Sequence, residues 1–443
     1  MVPMIQYSND HPDKEGYAMI AQSQSISGII VAVVLTGLAN PALAQGGAAE
    51  SPLLGMSEVV EVGRIGRVHD RIRRANLWSE WNQELTGLYG DYSRFKRSVT
   101  KATGLSWSLT TSYLQQWGEP DGGWTSGQIL LTPGFDWTLF DSTRFGSGSL
   151  QASYTLVDYP WRQTAANIAE NLGIITEMND FPGSGDDAFD QLTYTQALPG
   201  NKLLLSIGQY PFYNFDGNQY LADQQQNFNS YVLAQNGSST YPTAGLGAYA
   251  QVNLTSTLQL VGGFQNATNL SGANLSTRGL AGHNLAWIGY LQWTPRFRGL
   301  GSAQYAFNYY DVPTVPTQPR GTGWSFSGVQ NLDDRWAVFG RANGAWGFTT
   351  PIRASYALGG AMNNPLGRSK TDQIGLAFGY SDAAGPPVNP AGARNEKLVE
   401  LYWNWTLFGG LLLTPDVQYI QDPALNPERD HVWAFSLRTT LLL

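Results

Sequence analysis

The sequence predicts an all-β fold: a 16-stranded antiparallel transmembrane β-barrel, preceded by a short helical periplasmic N-terminal segment. Three observations carry this. From residue 104 to the end, hydropathy alternates with a period of two, in segments about ten residues long, which suits a tilted membrane strand. The connections alternate between tight turns and long polar loops, as do the periplasmic and outer connections of such a barrel. The 443 residues include 50 Gly, 15 Trp and 22 Tyr but only 14% charged side chains. That composition fits one large barrel or a soluble β-sandwich, and the loop alternation favours the barrel. There is no cysteine, so a disulfide framework and a thiolate metal site are excluded. A net charge of −8 argues against a nucleic-acid partner.

The chain is expected to begin with an export signal over residues 1–44. The apolar run Ile29–Leu38 is far shorter than a spanning helix needs, Asn40-Pro41 breaks it, and Ala42-Leu43-Ala44 gives a small-residue cleavage site before Gln45. Residues 45–103 form the expected periplasmic segment. Within it, Val59, Val62, Ile65, Val68 and Ile72 recur at helical spacing, with Arg64, Arg67, Arg71, Arg73 and Arg74 around them. This basic helix, 57–75, reads as a solvated element under the barrel, or as a dock for an anionic or periplasmic partner or a lipid surface. A second short helix is expected over Tyr92–Lys101, with Arg94, Lys96, Arg97 and Lys101 exposed.

The barrel is expected over 104–443. Its strands are predicted at 104–116, 127–141, 147–158, 190–198, 202–210, 245–254, 257–266, 284–294, 299–310, 322–331, 334–345, 352–361, 371–382, 397–407, 410–419 and 431–443. The first shows the pattern: Leu105, Trp107, Leu109, Thr111 and Tyr113 on one face, Ser106, Ser108, Thr110 and Ser112 on the other. Tight turns are read at Pro199-Gly200-Asn201, Ser256, Leu332-Asp333 and Phe408-Gly409, and long loops at 159–189, 211–244, 267–283, 311–321 and 383–396. An even strand count puts both ends on the periplasmic side. Trp287, Trp293, Trp403, Trp405, Trp433 and Phe435 have the apolar parity expected of interfacial girdles. Outer-membrane lipid and lipopolysaccharide of a Gram-negative bacterium are the expected surroundings.

The opposite parity gives the expected channel lining. Its charged and strongly polar members are Arg341, Arg353, Glu400, Tyr402, Asn404, Asp416, Gln418 and Arg438. Thr414, Ser436, Thr440, Gln304, Asn308, Tyr249, Gln251, Asn253, Gln259 and Gln265 complete it. Charges of both signs across a narrow wet lumen set up a transverse field. Glu400, Asp416 and Arg438, on the last three strands, are expected to face one patch.

One loop stands out. Gln209–Pro242 is too long and too aromatic for a solvated tip, and it is expected to fold partly into the barrel as a constriction. Tyr213, Phe215, Asp216, Asn218, Tyr220 and Asp223 are its candidate solute-facing residues. Rings beside amides and carboxylates are what a sugar-binding surface needs.

Short motifs in order complete the reading. Leu85-Thr86-Gly87 with Gly90 and Arg94 comes first. Phe215-Asp216 follows the strand KLLLSIGQ, with Gln224 and Phe228 downstream. Phe339-Gly340-Arg341 and Asn364-Pro365-Leu366-Gly367-Arg368 lead to Asp372 and Gly375. Glu400, Tyr402, Thr414 to Ile420, Pro423 and Arg438 close the series. From about Leu85 to the C-terminus the chain resembles the carbohydrate-selective porin family, OprB-like. The resemblance implies a 16-stranded outer-membrane channel for sugars, narrowed by infolded outer loops. The chain departs from the pattern in ending Leu441-Leu442-Leu443 rather than on an aromatic residue, and in the basic 57–75 segment.

No catalytic constellation is evident. His69, His283 and His431 are far apart and lack metal-ligand spacing, and no nucleophile elbow or phosphate loop is present. No cofactor is expected. The acidic run from Asn179-Asp180 to Asp190 reads as a solvated loop, with a divalent cation as the alternative. The expected function is passive diffusion of mono- and oligosaccharides into the periplasm. The alternatives are a polysaccharide export channel and a secreted β-rich carbohydrate-binding module.

Overall fold

The structure, a computed structural model, describes residues 80–443 except 121, 278, 279, 281, 317, 348 and 349. The export signal and the basic 57–75 segment lie outside the described residues. Sixteen strands, β1 (Leu105–Glu119) to β16 (His431–Leu442), each pair with their sequence neighbours, and β1 pairs with β16 to close the barrel. All pairs are antiparallel. Every predicted strand is present, and no end is displaced by more than four residues.

The barrel is inverted relative to a soluble core. Ile207, Trp287, Leu358 and Phe378 point outward and are 53–68% exposed, whereas Gln116, Gln251 and Gln265 point inward and are fully buried. An apolar band of this kind around a closed sheet matches a hydrocarbon surround and leaves no sheet edge unpaired. A soluble sandwich would require the opposite arrangement. The tight turns form where the chain supplies left-handed residues: Gly200 and Asn201 between β4 (Ala188–Ala197) and β5 (Leu203–Tyr210), and Gly410 between β14 (Glu396–Phe408) and β15 (Leu411–Gln421).

One sequence-based assignment fails because of a bulge. In β12 (Ile352–Asn363) the register shifts between Ile352 and Ala354. Ile352 turns inward and is buried, so Arg353, expected in the lining, turns outward and pairs with Asp382 at 2.7 Å. An extra residue reverses the parity of whatever precedes it.

Among the described residues a helix, α1 (Glu80–Thr103), precedes β1, longer than the short helix expected at 92–101. It runs against the outer surface at the end of the barrel that carries the β14–β15 turn. Trp107, on the outward face of β1, donates to the Tyr92 hydroxyl at 3.0 Å, and Trp137 of β2 (Ser126–Ser142) donates to the Thr103 carbonyl at 3.1 Å. Tyr89 covers the β14–β15 turn so closely that a Cβ on Gly410 would stand 2.5 Å from its ring. Lys96, expected to be exposed, is instead buried, its ammonium over the rings of Tyr92 and Trp107.

Candidate functional site: two loops folded into the barrel

The loop between β5 and β6 (Gly245–Asn253) enters the barrel and crosses it. A 3-10 turn, Phe212–Phe215, starts it, and a helical turn, α2 (Tyr231–Ala234), lies in its returning half. Phe215 is buried in an aromatic cluster with Tyr210, Tyr249 and Tyr290, at centroid distances of 5.3–6.2 Å. The chain then runs along β10 (Gly321–Asn331). Asp216 accepts from Ser325 at 2.7 Å, the Gly217 carbonyl accepts from Ser327, and Asn218 donates to the Gly328 carbonyl. Tyr220 stacks on Phe339 of β11 (Trp336–Trp346) at 5.0 Å. On the far side Gln224 and Gln225 reach Gln128 of β2 and Ser112 of β1.

Three inward charges hold this crossing in place. The Glu400 carboxylate accepts from two successive backbone amides, Asn229 at 2.5 Å and Ser230 at 3.1 Å. Arg438 donates to the carbonyls of Gln224 and Asn227 and to the Asn229 side chain at 2.7 Å. Arg341 donates to four carbonyls, those of Leu221, Val232, Leu233 and Gln235. A planar guanidinium with five donors can gather several carbonyls of an irregular segment, which no β-ladder would otherwise satisfy. Tyr402 donates to Gln373, Asn404 donates to the Gln226 carbonyl, and Gln418 donates to the Met178 carbonyl at 3.0 Å. Asp416 lies beside Glu400 and Arg438, so the three expected at one patch do meet there.

The predicted lining residues other than Arg353 thus face inward, but they are covered. Arg341, Glu400, Tyr402, Asn404, Asp416, Gln418 and Arg438 are all buried beneath the loops. Among the loop candidates, Phe215, Asn218, Tyr220 and Asp223 are buried too, so Phe215 and Tyr220 offer no free ring face. Tyr213 and Asp216 keep part of their surface, Tyr213 while donating to Asp190 at 2.6 Å.

A second loop, 159–187, also folds inward; the sequence places an outer loop at 159–189. It contains a helix, here α3 (Ala165–Leu172), capped by Thr164 and Asn167 and ended by left-handed Gly173. The missed signal is the helical spacing of Ala165, Ile168, Ala169 and Leu172, all buried. The acidic run beyond it is exposed at Ser184, Gly185 and Asp186, as expected of a solvated loop, but packed at both flanks. Asn179 is buried and donates to Gln116 at 2.7 Å, Asp187 accepts from the Val157 amide, and Asp190 accepts from Thr155 at 2.5 Å. Among the described residues no cluster of carboxylates and histidines could hold a metal ion. The two loops also join each other: the Asp180 amide donates to Gln224 at 2.6 Å, and the Ser230 hydroxyl meets the carbonyls of Thr176 and Glu177.

Glu177, at this junction, has left-handed backbone (φ 35°). Burial, then the charges of Glu396 and Asp186, push its carboxyl up to about 7. A raised carboxyl costs nothing below its unfolded value near 4.5; the cost grows as pH rises to about 7 and is complete above that. Amide exchange protection of residues 174–180, corrected for intrinsic rate, is therefore expected to fall between pH 5 and pH 8. Glu177→Gln is expected to flatten that dependence; identical pH profiles for both proteins would contradict the assignment.

These features match known proteins. The model of the carbohydrate-selective porin family, OprB, matches residues 166–442, more than half of the chain. The chain belongs to that family. Porin AaxA of Chlamydia pneumoniae is 36% identical over 362 residues, covering 79% of this chain and 82% of that one. Porin AaxA of Chlamydia trachomatis serovar D is 32% identical over 371 residues, covering 79% and 80%. The high-pH structure of Pseudomonas putida OprB covers 80% of this chain and 97% of its own, with a TM-score of 0.65 and 15% identity, a likeness of fold. The carbohydrate-selective porins are channels and not enzymes by family type, and membership implies an outer-membrane barrel.

Proposed function

We propose that this protein is an outer-membrane porin of a Gram-negative bacterium, through which small sugars diffuse passively into the periplasm. The observation that carries this reading is the pinned pair of infolded loops. They cross a wide barrel, and in this reading the path beside them is bordered by amides, hydroxyls and a few rings. Residues 104–443 form the pore in this reading, 45–103 a periplasmic segment, and 1–44 a removed leader. Glu400, Arg438 and Arg341 act by fixing the constriction. Solute meets the partly exposed Tyr213, Asp216 and Gln226 of the loop, and Thr132 and Asp136 of the wall. Binding is weak, about millimolar or roughly −4 kcal/mol, because a pore must release what it binds. Lipid and lipopolysaccharide surround the barrel.

A second reading has one observation in its favour. Asp136 and Asp216 keep some exposure on the inner side, whereas Arg341 and Arg438 are buried beneath the crossing loop. That leaves a negative interior field, which favours small cations.

Reconstituted vesicles separate the two. The sugar reading expects a hexose to permeate several-fold faster than an open-chain polyol of similar size, and at least as fast as a small organic cation. Equal hexose and polyol rates would remove the sugar assignment. A cation advantage, with a cation-selective reversal potential in a salt gradient, would establish the second reading.

A further inference from the structure

Helix α1 has three distinct longitudinal faces. At 100° per residue, Tyr89, Tyr92, Lys96 and Val99 form one stripe, and this stripe lies on the barrel. Leu88 and Phe95 fall together on one flank and are 44% and 57% exposed. Arg97 and Lys101 fall on the opposite flank, both exposed. Arg94, also exposed, is held by Asp91 one turn back. Arg97 makes no ion pair among the described residues.

The barrel fixes which flank is which. Phe95 meets Trp107 edge-on at 6.1 Å, and Trp107 lies two residues further up the outward face of β1 than Leu105. The apolar flank therefore continues the outward apolar band, next to Phe135, Trp137 and Leu139 of β2, each 40–43% exposed. The basic flank faces away from that band. Contacts from Tyr89 at the β14–β15 turn to Thr103 at β2 lay the helix across the strand ends rather than along them.

We propose that α1 is a membrane-seated belt: its Phe95 flank enters the periplasmic leaflet of the outer membrane, and its Arg97–Lys101 flank binds anionic phospholipid headgroups. The partner is a lipid surface rather than a protein because the apolar flank is continuous with the lipid-facing band. The basic flank then lies where headgroup phosphates end that band. Lys96 adds to this. The residue is 8% exposed and its ammonium has no hydrogen-bond partner among the described residues, yet it sits at the edge of the same band beneath Trp107. This inference rests on the outer-membrane reading but not on the solute.

The absence of cysteine makes single-site labelling clean. The mature full-length protein would carry Phe95→Cys or Ser98→Cys, each with a spin label, in vesicles of phosphatidylcholine with or without about one third phosphatidylglycerol. The proposal expects the label at 95 to be accessible to oxygen and shielded from a water-soluble nickel reagent, and the label at 98 to show the reverse. It also expects native mass spectrometry to find phosphatidylglycerol retained several-fold over phosphatidylcholine, falling to parity in Arg97→Gln/Lys101→Gln. A water-accessible label at 95 would overturn it. So would a label at 95 shielded from both reagents, which would mean that a second copy or the preceding 57–75 segment covers the helix. Unchanged lipid retention in the double variant would overturn the headgroup assignment. Wild-type hexose permeation in the double variant would show that the lipid contact and the pore are separable.

Discussion

Replacing Arg438 with alanine is expected to widen the pore without unfolding the barrel. The guanidinium is almost fully buried between β16 and the crossing loop, where it serves two loop carbonyls and the side chains of Asn229 and Asn404. Asp416 and Glu400 lie beside it. Truncation strands the loop groups and removes the only cation facing two buried carboxylates among those neighbours, a change that costs about 3–5 kcal/mol where a buried pair is broken. The backbone ladders of β16 with β1 and β15 do not use this side chain. The cost therefore falls on loop docking. Single-channel conductance in planar bilayers should rise several-fold and hexose preference should be lost. Heat-modifiable mobility on SDS gels should stay as in the wild type. Arg438→Lys, which keeps the charge but not the fork, should fall between. Wild-type conductance from a folded Arg438→Ala barrel would show that the loop docks without it.

Glu396→Ala should free the other loop. The Glu396 carboxylate, fully buried at the outer end of β14, accepts from the amides of Ile175 at 2.8 Å, Thr176 at 3.0 Å and Ala424 at 2.8 Å. Three amides from two loops would lose their acceptor at once, at about 1–3 kcal/mol for each that stays buried. The loops should leave the mouth instead. Limited proteolysis within 159–187, on intact outer membranes, should be at least about tenfold faster than in the wild type. Glu396→Gln, which keeps one acceptor oxygen, should lie between them. Equal cleavage rates for the alanine variant and the wild type would show that the loop is held elsewhere.

The strands were legible because their signal is local. Parity within a ten-residue segment decides which side chains face in, and it placed Glu400, Asp416 and Arg438 together correctly. It failed at Arg353, where a single bulged residue reversed the count. What an inward side chain meets was not legible. Arg341 looks like a lumen charge in β11, and only the position of residues more than 100 places earlier makes it a carbonyl clamp. Lys96 failed for the same reason: its burial depends on a tryptophan beyond the helix. The aromatic content of Gln209–Pro242 did signal an infolded loop. It did not show which rings are free: Phe215 and Tyr220 are buried against other rings, since rings that stack on a sugar and rings that stack on each other have identical composition.

The clamp residues also dictate an order of assembly. The crossing loop lies between β5 and β6, but its holders lie on β11, β14 and β16: Glu400 is 171 positions from Asn229, and Arg438 is 214 from Gln224. Arg438 sits on the strand that closes the cylinder against β1. Contacts across such separations form late, after the long intervening chain has been fixed. A nascent barrel that lacks its final strand therefore lacks one of the three clamps on its crossing loop. The last clamp on the constriction and the last seam of the wall are set by the same strand.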